Sequence, residues 1–256
     1  MTFTVVIPAR YESTRLPCKP LIKFDGKPMV VRVAERAVAS GAMRVVIATD
    51  DKRVVDAVSE HHFEVIMTSP NHISGTDRIA EVAALANFSD SEIIVNVQGD
   101  EPLMPPPLIR SVAETLAMSD VAMATACHTL TDPIEITNPN IVKVVLDINK
   151  DALYFSRAII PWARDAFANG ILSIPTGLPI YRHIGIYAYR VGFLKKFCQL
   201  SPAPIEQFES LEQLRALWHG EKIRVFVVPS APPGGVDTPE DVERVQKEFD
   251  RLRKSG

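Results

Sequence analysis

A chain of 256 residues, 46% of them apolar and 23% charged, is long enough to bury one sizeable α/β core and carries no sign of disorder. With 28 basic against 31 acidic residues and a net charge of −3, it has no global field to hold nucleic acid or an anionic membrane, so an anionic ligand must be met by a local site. Its three cysteines are scattered without a CxxC pair, no apolar run reaches membrane-spanning length, and Met1-Thr2-Phe3 leads directly into a strand-like run, which together predict a cytoplasmic protein with reduced thiols and no leader.

Thr4 to Ile7 is apolar and β-branched with no polar alternation, the pattern of a strand buried on both faces of a sheet. Pro8 ends it, and a loop bearing Arg10, Arg15 and Lys19 follows. Asp25-Gly26-Lys27-Pro28 is a turn, and Met29, Val30, Val33, Ala34, Ala37 and Val38 recur at helical spacing until Ser40-Gly41 stops them. Arg44 to Thr49 is a second buried strand ending in Asp50 and Asp51. Its following helix turns Val54, Val55 and Val58 inward, and Phe63 to Met67 gives a third strand. This alternation is the grammar of a doubly wound sheet. A polar loop, Thr68 to Arg78, opens a helix near Gly75 with Ile79, Val82, Ala83 and Leu85 inward.

Glu92 to Val97 is a fourth buried strand, ending in Gln98-Gly99-Asp100-Glu101-Pro102. Leu108 to Met118 reads as a helix and Val121 to Cys127 as a strand. The character then changes. Ile141 to Ile148 and Ala152 to Ser156 form a hairpin turning at Asn149-Lys150-Asp151, residues 166–179 are weakly patterned, and Tyr181 to Arg190 alternates with His183, Gly185, Tyr187 and Tyr189 on one face. Helices over Val191 to Cys198 and Leu211 to Leu217, a last strand over Lys222 to Val228 and a closing helix begun by Thr238-Pro239 complete the chain.

Three features point to chemistry before any likeness is considered. A buried strand opening into Arg10, Arg15 and Lys19 suits a polyphosphate at the carboxyl edge of an open sheet. Helix-start amides at Ser74-Gly75 with Arg78 nearby suit a nucleotide. Asp100, at the end of a central strand beside Gly99, can hold a divalent cation against phosphate oxygens. Asp237 and Thr238 read by themselves as a helix cap.

Arg10-x4-Arg15-Leu16-Pro17-x-Lys19-Pro20-Leu21, Ser74-Gly75-Thr76-Asp77-Arg78, Gln98-Gly99-Asp100-Glu101-Pro102, His183-Ile184-Gly185-Ile186-Tyr187, Leu211-Glu212-Gln213-Leu214-Arg215 and Val236-Asp237-Thr238-Pro239-Glu240-Asp241 resemble, in order, the motifs of sugar nucleotidyltransferases, in the version found in 3-deoxy-manno-octulosonate (Kdo) cytidylyltransferases. The resemblance runs from Val5 to about Val245. It implies a Rossmann-like three-layer α/β/α nucleotidyltransferase fold with a mostly parallel central sheet and an inserted antiparallel lobe. One domain over 1–256 is expected, with a nucleotide-binding part at about 1–128 and 223–256 and an acceptor and dimerisation lobe at about 129–222.

The same resemblance implies CTP and Kdo as substrates, CMP-Kdo and diphosphate as products, a role in lipopolysaccharide synthesis, a Mg²⁺ cofactor and a homodimer, with neither nucleic acid nor membrane as partner. It places Pro8, Ala9, Arg10, Arg15, Lys19, Thr49, Ser74, Gly75, Arg78, Gln98 and Asp100 on the nucleotide, and Asp100 with Asp237 on the metal. Arg10, Lys19, Asp100 and Asp237 become the catalytic set. Arg157, Arg164 and His183 fall on the sugar-acid carboxylate, and Gln98, Tyr187, Glu212 and Gln213 on its hydroxyls. Cys18 departs from the family's glycine, and either narrows the phosphate cradle or sits at a φ that a side chain tolerates. A related acceptor, sialic acid or 8-amino-Kdo, and a non-catalytic nucleotide-binding protein are the alternative readings; the Asp-x-Asp motif of a glycosyltransferase is absent.

Overall fold

The computed structural model describes residues 1–12, 16–72 and 74–255. In chain order the elements are β1 (Thr4–Pro8), β2 (Lys23–Phe24), β3 (Lys27–Pro28), α1 (Met29–Ala39), β4 (Arg44–Thr49), α2 (Lys52–Ser59), β5 (Glu64–Met67), α3 (Gly75–Leu85), β6 (Ile93–Asn96) and α4 (Pro106–Ala117). The second half contributes β7 (Met123–Thr129), α5 (Pro133–Thr137), β8 (Lys143–Leu146), β9 (Ala152–Ser156), β10 (Tyr181–Arg190), α6 (Val191–Phe197), α7 (Pro204–Glu209), α8 (Leu214–Trp218), β11 (Ile223–Val228) and α9 (Pro239–Ser255).

The main sheet runs β11-β7-β10-β6-β1-β4-β5, and along it only β10 is antiparallel to its neighbours. Val5 and Ile7 of β1 point into a core shared with α1, α2 and α4, while Val6 points into a second core shared with α3, α6 and α8. Both faces are therefore covered, which is why these strands carry unbroken apolar runs. The result is the three-layer α/β/α arrangement expected.

From β1 the chain moves outward to β4 and β5, then crosses back to place β6 on the other side of β1. The strand order reverses between β1 and β6, so the loops leaving their carboxyl ends diverge and leave a crevice. The expected hairpin closes as β8 and β9, which pair antiparallel, and β8 also pairs with the start of β10. This is the antiparallel insertion on the parallel sheet. A bulge between Ile184 and Tyr187 adds residues to β10 against β7, yet His183 and Tyr187 stay on one face, with ring centroids 5.3 Å apart.

Several readings are corrected. The turn read over Asp25-Gly26-Lys27-Pro28 is confined to Asp25-Gly26, with Lys27–Pro28 paired as β3 against β2. Leu85, expected inward, is 55% exposed at the last residue of α3. Glu212 and Gln213 lie in the turn before α8. Residues 166–179 form no strand or helix, although Phe167 is buried, and Ile171, Ile174 and Leu178 pack on a small cluster of Leu130, Ile136, Ile141 and Ile180.

That lobe is fastened by a fully buried ammonium. Lys143 on β8 donates to the carbonyls of Asn138, Ile141 and Arg157 at 3.1, 2.6 and 2.7 Å. Burial and the neighbouring Arg157 charge lower its pKa, and the carbonyl dipoles replace its hydration. Lys143→Ala leaves those acceptors unsatisfied and should lower unfolding stability by about 3 kcal/mol. A denaturant midpoint equal to wild type would show that the ammonium does not support the lobe.

Candidate active site

The crevice beside β1 and β6 is a cavity of about 380 Å³ lined by Pro8, Ala9 and Arg10 after β1, by Gly75 and Arg78 of α3, and by Gln98, Gly99 and Asp100 after β6, with Lys19 at one side. Glu12, Pro20 and Met29 also line it; none had been assigned to a site, and Met29 reads simply as the first apolar residue of α1. Gly99 is required by packing. A Cβ there would lie 2.7 Å from the Pro8 carbonyl oxygen, so the glycine serves the close approach of two protein strands.

Lys19 is the pivot. Its Nζ donates to Asp100 Oδ2 at 2.6 Å and to Asp237 Oδ1 at 3.1 Å. Burial disfavours the ammonium, but Asp100 and Asp237 together outweigh that cost and hold its pKa above the ordinary lysine value. The Val236 amide donates to the Asp100 carbonyl at 2.9 Å, tying the two acidic loops directly. Beneath them Leu16, Phe24, Met29, Leu103, Val236 and Val245 form an apolar cluster that packs the segment around Leu16, the β2–β3 hairpin and α9 against each other. Glu101 stands behind; burial, reinforced by the charges on Asp100 and Asp237, pushes its pKa up to about 8.

Asp100 and Asp237 are hard oxygen donors, and their side chains are 35% and 52% exposed. A magnesium ion takes one or two such carboxylates and fills its other positions with water and phosphate, so this donor set fits it. Among the described residues no group of three or more His, Cys, Asp or Glu could enclose a metal alone.

Cys18 adopts φ 56° and ψ 27°, the left-handed region. Of the two readings left open by the sequence, this geometry bears on the second: Cys18 takes a conformation that costs a residue with a Cβ about 1–2 kcal/mol and glycine almost nothing. Arg15 lies outside the described residues. Arg10 donates to the His72 carbonyl and lines the cavity.

Arg78 is fully buried, and its guanidinium donates to Asp50 at 2.6 Å and to the Thr68 hydroxyl. Its Nε has no partner. Ser74 is absorbed in a capping box with Asp77, its hydroxyl accepting from the Asp77 amide at 3.1 Å. Thr49 is fully buried with its hydroxyl facing the Asp51 amide, and does not line the cavity.

The residues assigned to a sugar acid divide. His183, Tyr187 and Tyr189 form a continuous aromatic face, Glu212 accepts from the Thr76 hydroxyl at 2.6 Å at the start of α3, and Gln213 is buried beside it. Arg157 does not extend a free guanidinium: its Nε, Nη1 and Nη2 donate to the carbonyls of Glu209, Pro139 and Ser210. Arg164 is 94% exposed beside Asp165. His183 is no cation either, since burial lowers its pKa to about 3. Thr125 spends its hydroxyl proton on the Ile186 carbonyl at 2.7 Å, so it accepts from His183 Nε2 at 3.0 Å and leaves Nδ1 as an acceptor.

A doubly wound sheet whose switch-point crevice joins a cationic loop, a helix start and paired strand-end acids has the makings of a nucleotidyltransferase. The family model described as Cytidylyltransferase matches residues 4–223, and the chain belongs to that family. It is 58% identical over 247 residues to the 3-deoxy-manno-octulosonate cytidylyltransferase of Vibrio vulnificus, covering 96% of this chain and 98% of the relative. The enzyme of the same name from Herminiimonas arsenicoxydans is 57% identical, with 97% and 99% covered. A solved CMP:2-keto-3-deoxy-manno-octonic acid synthetase complexed with CTP superposes with a TM-score of 0.89 at 41% identity, covering 98% of this chain and 100% of the other. A nucleotidyl transferase from Methanothermobacter, 15% identical with a TM-score of 0.60, shares the fold.

Gly99→Ala should displace Asp100 from Lys19 and cut catalytic turnover by at least about tenfold while the chain remains folded; unchanged turnover with unchanged circular dichroism would separate the close approach from the site. His183 has a folded pKa near 3 and an ordinary value of 6.5, so the unfolded chain binds the extra proton first. Its contribution to stability is complete above about pH 6.5 and falls as the pH drops toward 3. A His183 imidazole NMR titration with a midpoint near 6.5 in the folded protein would overturn this.

Proposed function

We propose that this chain activates Kdo by cytidylyl transfer, CTP + Kdo → CMP-Kdo + diphosphate, for lipopolysaccharide synthesis. The observation that carries the reading is the Lys19–Asp100–Asp237 junction at the mouth of the cavity lined by Pro8, Ala9, Arg10, Gly75, Arg78 and Gln98. The names of the curated relatives, at 57–58% identity over nearly the whole chain, support the acceptor and the base.

In this reaction the anomeric hydroxyl of Kdo attacks the α-phosphorus, the bond from that phosphorus to the bridging oxygen breaks, and pyrophosphate leaves. Arg10, Arg15 and Lys19 neutralise the charge that accumulates on the departing group. Pro8, Ala9, Gly75, Arg78 and Gln98 hold the nucleotide, with Thr49 and Ser74 shaping its walls from behind. Asp100 and Asp237 would hold Mg²⁺, and such an ion would supply charge neutralisation at the phosphate and a lower pKa for a neighbouring hydroxyl. On the acceptor side His183, Tyr187, Gln98, Glu212 and Gln213 bind through neutral or hydroxyl-directed hydrogen bonds, while Arg157 orders the lobe that carries them. Most of the rate enhancement comes from positioning and electrostatics.

The chain acts as one domain, with 1–128 and 223–256 on the nucleotide and 129–222 on the acceptor. It works in the cytoplasm as a homodimer, for which Trp162, Leu172 and Ile134 of the lobe offer exposed apolar surface. Among the described residues no helix is long and apolar enough to cross a membrane.

Pyrophosphate release should require Mg²⁺, CTP and Kdo together, when each of the four nucleoside triphosphates is paired in turn with Kdo, sialic acid or no acceptor. Release with sialic acid in place of Kdo would overturn the acceptor assignment, and release with another triphosphate the base. Asp100→Ala and Asp237→Ala should each lower turnover by at least about a thousandfold with the fold intact; wild-type rates from either would remove the metal role.

A further inference from the structure

The phosphate loop is braced from outside the cavity. Lys19 reaches Asp100 and Asp237 directly after Cys18, which turns the chain through a left-handed conformation. The Cys18 Sγ is in hydrogen-bond contact with the Tyr11 hydroxyl. The Tyr11 ring in turn carries the Arg53 guanidinium 3.5 Å from its centroid. Arg53 is held by two bonds to the Asp51 carboxylate, and Asp51 caps the first turn of α2. A chain of contacts thus runs from the fixed end of β4, through Asp51, Arg53, Tyr11 and Cys18, to the ammonium between the two acids. Neither Arg53 nor Tyr11 lines the 380 Å³ cavity.

We propose that Tyr11 is a positioning residue for the nucleotide triphosphate, acting through its hydroxyl contact with Cys18 to hold the left-handed turn that aims Lys19. This hydroxyl supplies by a side-chain tether the restraint that the strained turn needs, and Arg53 keeps the ring from swinging away. The tether acts on the nucleotide side: its members join the loop after β1 to α2, while the β10 rings pack on each other and on Phe155 and Glu212 is bonded to Thr76.

This inference rests on the cytidylyl-transfer reading, which wild-type turnover decides first. The test is then a double-mutant cycle on the full-length protein, using Tyr11→Phe, Cys18→Gly and the pair, with KM for CTP and for Kdo, equilibrium binding of CTP, and the thermal midpoint measured for each. Tyr11→Phe in the parent chain should raise KM and the dissociation constant for CTP by about three- to tenfold, the scale of one lost hydrogen bond, while KM for Kdo and the thermal midpoint stay at parental values. The same substitution made on top of Cys18→Gly should change neither CTP constant, since its partner is already gone. Equal effects of Tyr11→Phe in the two backgrounds would overturn the proposal, as would a parallel rise in both KM values with a fall in the midpoint, or no effect on CTP in the parent chain. Failure of wild-type turnover with CTP and Kdo would instead strike the functional reading, and CTP binding would still report on the tether.

Discussion

One ammonium between two carboxylates organises this protein. Lys19, Asp100 and Asp237 come from loops more than eighty residues apart along the chain, and Nζ contacts both acids. Two carboxylates brought to a common point repel unless a cation lies between them, so their approach is tolerable only with the lysine or another cation in place. The charge alone would not localise such a group, because exposed ion pairs contribute little. The apolar cluster of Leu16, Phe24, Met29, Leu103, Val236 and Val245 supplies the rigidity, and Phe24 stacks on Phe249 of α9 with centroids 5.7 Å apart. Hydrophobic burial fixes the loops, and the ammonium sets the separation of the acids.

The sheet topology explains why those three loops meet. Strand order reverses between β1 and β6, so the exits from both strands border one crevice. Gly99 lets them approach more closely than side chains would permit. β11 and the loop after it return Asp237 to the same edge from the far side of the sheet, where the Val236 amide finds the Asp100 carbonyl. The last motif is thus brought to the first by a parallel strand at the opposite end of the sheet, a placement that local patterning alone does not specify.

The elements most legible in the sequence were those whose pattern has one physical solution. Thr4–Ile7 could be little but a strand covered on both faces, the alternation from Tyr181 to Arg190 marked β10 to the residue, and Ser74-Gly75 opened α3 where a capping box forms. Pro8, Ala9, Arg10, Gly75, Arg78, Gln98 and Asp100, which the family resemblance marked, line one cavity. What stayed hidden depends on tertiary partners. Nothing in the letters says that Arg157 exhausts its forks on carbonyls, that His183 is neutral, or that Thr49 faces inward. Cys18 is the instructive middle case: a missing glycine signals a special conformation, but only the coordinates give its sign and its partner.

Under the cytidylyl-transfer reading, these corrections bear on how the proposed acceptor side would discriminate. Lys143 and Arg157 are committed to backbone carbonyls and His183 is held neutral, so these two cations serve the rigidity of the lobe. The polar groups left around the β10 face are an imidazole, phenols, a carboxamide and a carboxylate already joined to Thr76, and the nearby Asn96 Oδ1 is buried without a partner. Such groups recognise an acceptor by the placement of its hydroxyls, and an acceptor lacking the matching hydroxyl would leave them unpaired in a desolvated site, a heavier penalty than an imperfect apolar fit. Charge is then concentrated where the reaction needs it, at the phosphate loop and the paired acids. Under the cytidylyl-transfer reading, the division of labour is physical: the parallel sheet manages charge, and the antiparallel insertion measures shape.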